Sequence, residues 1–153
     1  MIKVLFVCHG NICRSAMAEY VMRYLVWQEN LSAVFEIDSA ATSTEEIGNL
    51  IYPPAKAVLM EHQIPVGNHR ARQINVKDYD RFDILIGMDE ANLRNMRRLW
   101  PEDVQDKIHK LMDYTASGGE VLDPWYTRDF EATFLDVWEG CNGLLESLQC
   151  RIS

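Results

Sequence analysis

The sequence predicts an α/β fold: one domain over residues 1–153, with a four-stranded parallel sheet and helices on both faces. Three observations predict it. Short, almost entirely apolar runs rich in β-branched residues recur, beginning with IKVLFV at 2–7, as expected of strands buried on both faces. Segments with apolar residues at helical spacing separate these runs. No repeat, linker or low-complexity tract interrupts the alternation.

After the first strand at 2–7, Met17, Val21, Tyr24 and Leu25 mark a helix from Ser15 to about Gln28, with Ser15 as the expected N-cap. AVFEIDSA at 33–40 is the second strand, and ATSTEEIGN at 41–49 is a polar loop. A helix over about 54–62 follows, with proline in its first turn. RFDILIGM at 81–88 is the third strand, and 89–100 is a helix stopped by Pro101. Asp89, at its start, is read as a cap. DKIHKLM at 106–112 is a weak fourth strand. Residues 116–129 are a loop dense in glycine and proline, and 130–152 are a closing helix weakened by Gly140 and Gly143.

Composition narrows the function classes. A net charge of −8 over 153 residues argues against nucleic acid or an anionic membrane as the main partner. A small anion responds to local field and stays open as a ligand. No apolar stretch approaches a membrane span, and MIKVLFV is too short for an export signal, so a reducing cytoplasm is the expected setting. Cysteines at 8, 13, 141 and 150 match neither a disulfide scaffold nor zinc spacing. Cys141 and Cys150 are expected to pack as small hydrophobes.

In such sheets ligands bind beyond the carboxyl ends of the strands, where the first strand runs into Cys-His-Gly-Asn-Ile-Cys-Arg-Ser at 8–15. A tight turn at a helix N-terminus converges backbone N–H groups on an anion. Gly10 and Asn11 tolerate the left-handed dihedrals such a nest requires. Arg14 adds a planar fork for phosphate oxygens. The same field favours a thiolate at Cys8, a nucleophile aimed at a held tetrahedral oxyanion.

CHGNICRS resembles the phosphate-binding loop of the low-molecular-weight protein tyrosine phosphatases, and IDSAATS (37–43), HRARQI (69–74), MDEANL (88–93) and DPWY (123–126) look like further landmarks of that family in its order. The resemblance implies hydrolysis of phosphotyrosine monoesters through a phosphocysteine. Cys8 would be the nucleophile and Arg14 the phosphate clamp. Asp123 would protonate the leaving oxygen and then activate water, with Trp125 and Tyr126 partly desolvating it. His9, Gly10, Asn11, Ile12, Cys13 and Ser15 would line or complete the loop, Ser15 holding the thiolate. Asn11 would brace the loop through Ser39 and His69. No metal or cofactor is implied. Substrates would be phosphotyrosine proteins or small aryl phosphates, with phosphate and other oxyanions as inhibitors. A reversible Cys8–Cys13 disulfide would protect the nucleophile.

The chain departs from the family at three positions. His9 replaces a common apolar residue, Ala16 a frequent proline, and Glu45 an aromatic wall of the crevice. The last suggests a mouth preferring basic or small substrates. Among rival readings, an arsenate reductase would need cysteines between residues 14 and 140, where there are none. Arginine phosphatases typically carry threonine at the place of Ile12. A sugar-phosphotransferase subunit or a non-catalytic phosphate-binding module would have no need of Asp123.

Overall fold

The computed structural model describes residues 1–152. Its elements run β1 (Ile2–Cys8), α1 (Arg14–Gln28), β2 (Phe35–Ala41), α2 (Pro53–Glu61), α3 (Asp78–Arg81), β3 (Ile84–Gly87), α4 (Glu90–Leu99), β4 (Ile108–Lys110), a 3₁₀ turn (Leu111–Tyr114), α5 (Pro124–Thr127) and α6 (Phe130–Ile152). The four strands form one sheet in the order β2-β1-β3-β4, and every pairing is parallel. The expected single α/β domain is the one observed.

β1 lies inside the sheet, and its side chains alternate between two cores. Val4 and Phe6 face a core shared with α1, α2 and α6, including Met17, Val21, Leu59 and Leu144. Leu5 and Val7 face the other core, with Tyr79 and Phe82 around α3 and Leu93 and Met96 of α4. All four β1 residues are fully buried, which is why the segment reads as a continuous apolar run.

Several boundaries differ from the sequence reading. Ala33 and Val34 fall in a turn after α1, where Asn30 takes a left-handed φ of 58° and Val34 N–H bonds Leu31 O. The fourth strand keeps only Ile108–Lys110. Asp103 gathers the N–H groups of Lys107 and Ile108 at 2.8 and 3.1 Å and so fixes where pairing begins, while residues 111–114 coil into a 3₁₀ turn. The four-residue helices α3 and α5 leave no mark in the sequence pattern, because four residues carry no period to detect. Cys141 is buried as expected, but Cys150 is exposed on the solvent side of α6. Among the described residues no helix is long and apolar enough to cross a membrane.

The two glycines that weaken α6 on propensity are required by packing. A Cβ on Gly140 would lie 2.5 Å from Leu111 Cγ, and one on Gly143 would lie 2.0 Å from Tyr114 O. α6 therefore rests directly on the 3₁₀ turn after β4. Alanine improves an exposed helix by roughly 1 kcal/mol over glycine, but here the backbone contact dominates. Gly143→Ala should lower stability by about 1–3 kcal/mol, measurable as a reduced denaturation midpoint; an increase would contradict the packing argument.

Candidate active site

β1 carries Cys8 to the carboxyl edge of the sheet, beside Ala41 of β2. The chain then folds over the sulfur. Asn11 adopts a left-handed φ of 62°, and this one inversion turns the backbone inward. Gly10 does not share it: its φ is not positive, and a Cβ there would meet Glu46 Cγ at an ordinary 3.4 Å. The expectation that both residues supply left-handed dihedrals is corrected; one such residue closes the turn.

Three groups meet the Cys8 sulfur. The N–H groups of Asn11 and Ser15 point at Sγ from 3.3 and 3.4 Å, and Ser15 Oγ lies 2.9 Å away. Ser15 is not the N-cap of α1, which begins at Arg14 after Cys13. Its hydroxyl is engaged inside the loop instead, accepting from Asn11 Nδ2 at 2.8 Å. Its own hydrogen has two acceptors in reach, the Cys8 sulfur at 2.9 Å and Ala40 O at 3.5 Å.

Behind the loop, Asn11 Oδ1 takes a contact from His69 Nε2 at 2.8 Å and the Arg72 N–H at 3.3 Å. His69 Nδ1 lies 3.4 Å from Glu19 Oε1 and 3.5 Å from Asp38 Oδ1. Ser39 joins the network behind Asn11 indirectly. Its hydroxyl donates to Glu19 Oε1 at 2.6 Å, and it reaches Asn11 only through Glu19 and His69. Glu19, Asp38 and His69 also form a grouping close enough to hold a cation. Their atoms are already engaged, however: Glu19 by Ser39 and Arg23, Asp38 by Arg72, and His69 by Asn11. The grouping reads as a brace.

Arg14 is 3% exposed. Nη1 donates to Asp89 Oδ2 at 2.7 Å and to Val121 O at 2.9 Å, while Nη2 stands 3.6 Å from Asp123 Oδ2. Burial opposes its charge, but Cys8, Asp89 and Asp123 outweigh that and hold the guanidinium more firmly protonated than usual. For Asp89, burial likewise opposes ionisation. The Arg14 hydrogen bond and charge, with the N–H groups of Asn92 and Ala91, hold its carboxyl below the usual range. Asp89 is thus the expected cap of α4, in a capping box with Asn92, and also the anchor of Arg14. The sequence reading missed the second role. Its available signal was position: an acid immediately past the carboxyl end of β3.

Asp123 enters from the far end of the chain. It caps α5, accepting the Trp125 N–H at 3.0 Å. Tyr126 is 84% exposed and Trp125 49%, so these rings form a rim above the carboxyl and do not enclose it. Trp125 is braced edge-on by Tyr52 at 5.5 Å and carries Arg128 over its face at 5.3 Å. From the 43–46 segment, Glu45 reaches His9 Nε2 at 3.0 Å. Cys13 is a buried free thiol. Burial first, then Cys8 and Asp123, push its pKa up to about 12, so it stays protonated.

These elements enclose a crevice of about 270 Å³ lined by Cys8, His9, Gly10, Ile12, Cys13, Arg14, Glu45, Glu46, Asp123, Trp125 and Tyr126. Of the residues singled out in the sequence, Asn11 and Ser15 support the sulfur from within the loop, and Ser39 and His69 stand behind it. A larger groove of about 670 Å³ runs along α1 and residues 65–69, but it holds no nucleophile. The crevice can hold a small tetrahedral anion against convergent N–H groups and a guanidinium, with a thiol below and a carboxyl beside it.

Known proteins match along the whole chain. The family model of low molecular weight phosphotyrosine protein phosphatases matches residues 3–152. The low molecular weight phosphotyrosine protein phosphatase of Gallus gallus is 42% identical over 151 residues, covering 94% of this chain and 93% of that protein. The crystal structure of YfkJ from Bacillus subtilis superposes with a TM-score of 0.96 at 36% identity, covering 100% of this chain and 98% of that one. That of SP-PTP, a low molecular weight protein tyrosine phosphatase from Streptococcus pyogenes, does so with a TM-score of 0.87 at 41% identity over 97% and 93%. With a crevice of this chemistry and likeness over nearly its full length, the chain belongs to the low molecular weight phosphotyrosine protein phosphatase family, a family of phosphoric monoester hydrolases.

Proposed function

We propose that this phosphatase hydrolyses phosphotyrosine monoesters, in proteins or as small aryl phosphates, through a phosphocysteine formed on Cys8. The observation that carries this reading is the convergence on one sulfur. Two N–H groups and a hydroxyl meet Cys8 Sγ beneath a guanidinium that also faces Asp123.

In the first step the Cys8 thiolate attacks phosphorus in line with the ester oxygen. Arg14 and the N–H groups of the loop hold the equatorial oxygens. Arg14 is aimed beforehand by Asp89 and Val121 O, so its orientation is set before substrate arrives. Asp123 gives its proton to the leaving aryl oxide as the P–O bond breaks. In the second step Asp123 takes a proton from water, the water oxygen attacks phosphorus, and the Cys8 sulfur leaves as thiolate, stabilised by Ser15. Ile12 gives the crevice an apolar wall, which suits an aryl ring better than a guanidino group. Inorganic phosphate and other oxyanions compete for the same nest. The buried free thiols Cys8 and Cys13 suit a reducing compartment, which we take to be the cytoplasm.

p-Nitrophenyl phosphate turnover tests the chemistry. Cys8→Ser should abolish it and trap no phosphoenzyme, and Asp123→Ala should lower kcat by about 100-fold to 10,000-fold. Activity surviving Cys8→Ser would refute the mechanism. The aryl preference requires phosphotyrosine to be cleaved faster than phosphoarginine; the reverse order would overturn it.

The position of Cys13 beside Cys8 in the crevice supports a redox role. Peroxide oxidises the Cys8 thiolate to the sulfenic acid; the Cys13 thiol then displaces water to form a disulfide. Peroxide-inactivated wild type should regain activity with dithiothreitol, whereas Cys13→Ser should recover far less. Equal recovery would refute the protective disulfide.

Asp89 generates a stability prediction with a definite sign. Its folded pKa is depressed, so its contribution is present above the unfolded aspartate value of about 3.9 and is lost as pH falls through the lower folded value. Thermal midpoints of wild type and Asp89→Asn should differ most near neutrality, and the gap should close below about pH 4. A gap that widens on acidification would contradict the Arg14–Asp89 assignment.

A further inference from the structure

One lip of the crevice carries a contact that the hydrolytic steps do not use. His9 Nε2 and Glu45 Oε2 are 3.0 Å apart, with side chains 52% and 68% exposed. The backbone dictates this meeting. His9 O accepts both the Ser43 N–H at 3.1 Å and the Ser43 hydroxyl at 2.8 Å, and Ser43 Oγ in turn receives the Glu45 N–H at 3.4 Å. The residue following the nucleophile is thereby stitched to the turn that presents Glu45, and the two side chains share one edge of the opening.

The charges around this edge are uneven. Glu46, the next residue, has its carboxylate engaged by Asn49 Nδ2 at 2.6 Å and also lines the crevice. The other lip presents the rings of Trp125 and Tyr126, with Arg128 over Trp125. Arg14 is buried in the floor, where phosphate would occupy it. A peptide entering phosphate-first passes its neighbouring side chains across an edge where Glu45 is the most exposed anion and, among the described residues, His9 is the partner of its carboxylate.

Resting on the phosphotyrosine reading above, we propose that the His9–Glu45 pair is a specificity-determining element. It selects phosphotyrosine with a lysine or arginine immediately beside it. In the free protein His9 occupies Glu45; a basic side chain of the substrate takes its place, and an acidic one meets Glu45 and Glu46 together. His9 therefore moderates the preference that Glu45 creates. An unpartnered Glu45 discriminates more strongly than the paired one.

The test uses matched phosphotyrosine peptides carrying Lys or Glu immediately before, or immediately after, the phosphotyrosine. The readout is the Lys-to-Glu ratio of kcat/KM within each protein, so any general change in turnover cancels. For wild type at low ionic strength the ratio should be about 3–5 at one of the two positions, the scale of an exposed ion pair, and should shrink in about 0.5 M salt. Glu45→Gln should bring it toward one. His9→Leu should raise it, and His9→Leu combined with Glu45→Gln should match Glu45→Gln alone. A wild-type ratio of one at both positions, no response to Glu45→Gln, or a ratio that His9→Leu leaves unchanged or lowers would overturn the inference. If every peptide is cleaved at the same rate, this inference alone fails; if none is cleaved, the phosphotyrosine reading fails with it.

Discussion

A guanidinium 3% exposed is the constraint around which the catalytic edge is arranged. An arginine cannot discharge when buried, and an unpaired buried charge costs several kcal/mol. Arg14 therefore has to be met by acceptors, and the chain supplies them from separate strand ends. β1 leads into the loop that carries Arg14. β3 leads to Asp89. The segment after the 3₁₀ turn brings Val121 O and Asp123. Parallel strands deliver all these segments to one edge, so the topology that buries β1 on both faces also assembles the partners Arg14 needs.

The loop has a second constraint, the inverted backbone at Asn11. A left-handed non-glycine residue persists when its surroundings over-determine it, and here the side chain does so. Asn11 donates to Ser15 and accepts from His69 and Arg72, while Glu19, 2% exposed, ties His69 to Ser39 of β2. Glycine would supply the dihedral without these bonds. Asparagine supplies both, so the conformation that aims N–H groups at the sulfur is locked from behind by the α1–β2 layer.

How much of this is legible in the sequence depends on how local each part is. β1, α1, α4 and α6 are long or strongly patterned, and they appear within a few residues of where the sequence places them. β4 is three residues, and α3 and α5 are four each, too short for periodicity to register. Cys8 to Ser15 is contiguous, so the nest can be read from eight letters. Asp123 is over a hundred residues away and is marked only by resemblance, since an isolated Asp-Pro reads as a turn. Glu19 was invisible for a different reason. An acid on an amphipathic helix normally faces water, and nothing local says that this one is buried against a histidine from residue 69. Ser15 carries two expectations, a cap from its place at a helix start and a hold on the thiolate from the resemblance; its hydroxyl lies 2.9 Å from the Cys8 sulfur, and α1 has no side-chain cap.

The two halves of the proposed catalytic constellation are held by unequal means. The Cys8 loop is pinned by buried hydrogen bonds and by the sheet. The Asp123 segment is a four-residue helix capped by Asp123 itself and ended by Arg128 in a left-handed conformation, with an exposed rim. What fixes it is aromatic: Trp125 leans on Tyr52, and Tyr52 stacks on Phe130 at the start of α6. Tyr52 also donates its N–H to Ile12 O at 2.8 Å, inside the Cys8 loop. A single residue before α2 thus touches both halves, by hydrogen bond on one side and by ring contact on the other. Tyr52 and the contacts of Arg14 with Asp89, Val121 O and Asp123 link the Cys8 loop to the Asp123 segment. On the reading proposed above, this division keeps the floor fixed by buried hydrogen bonds while the rim, made of exposed side chains, can accommodate different residues around the same phosphorylated ring.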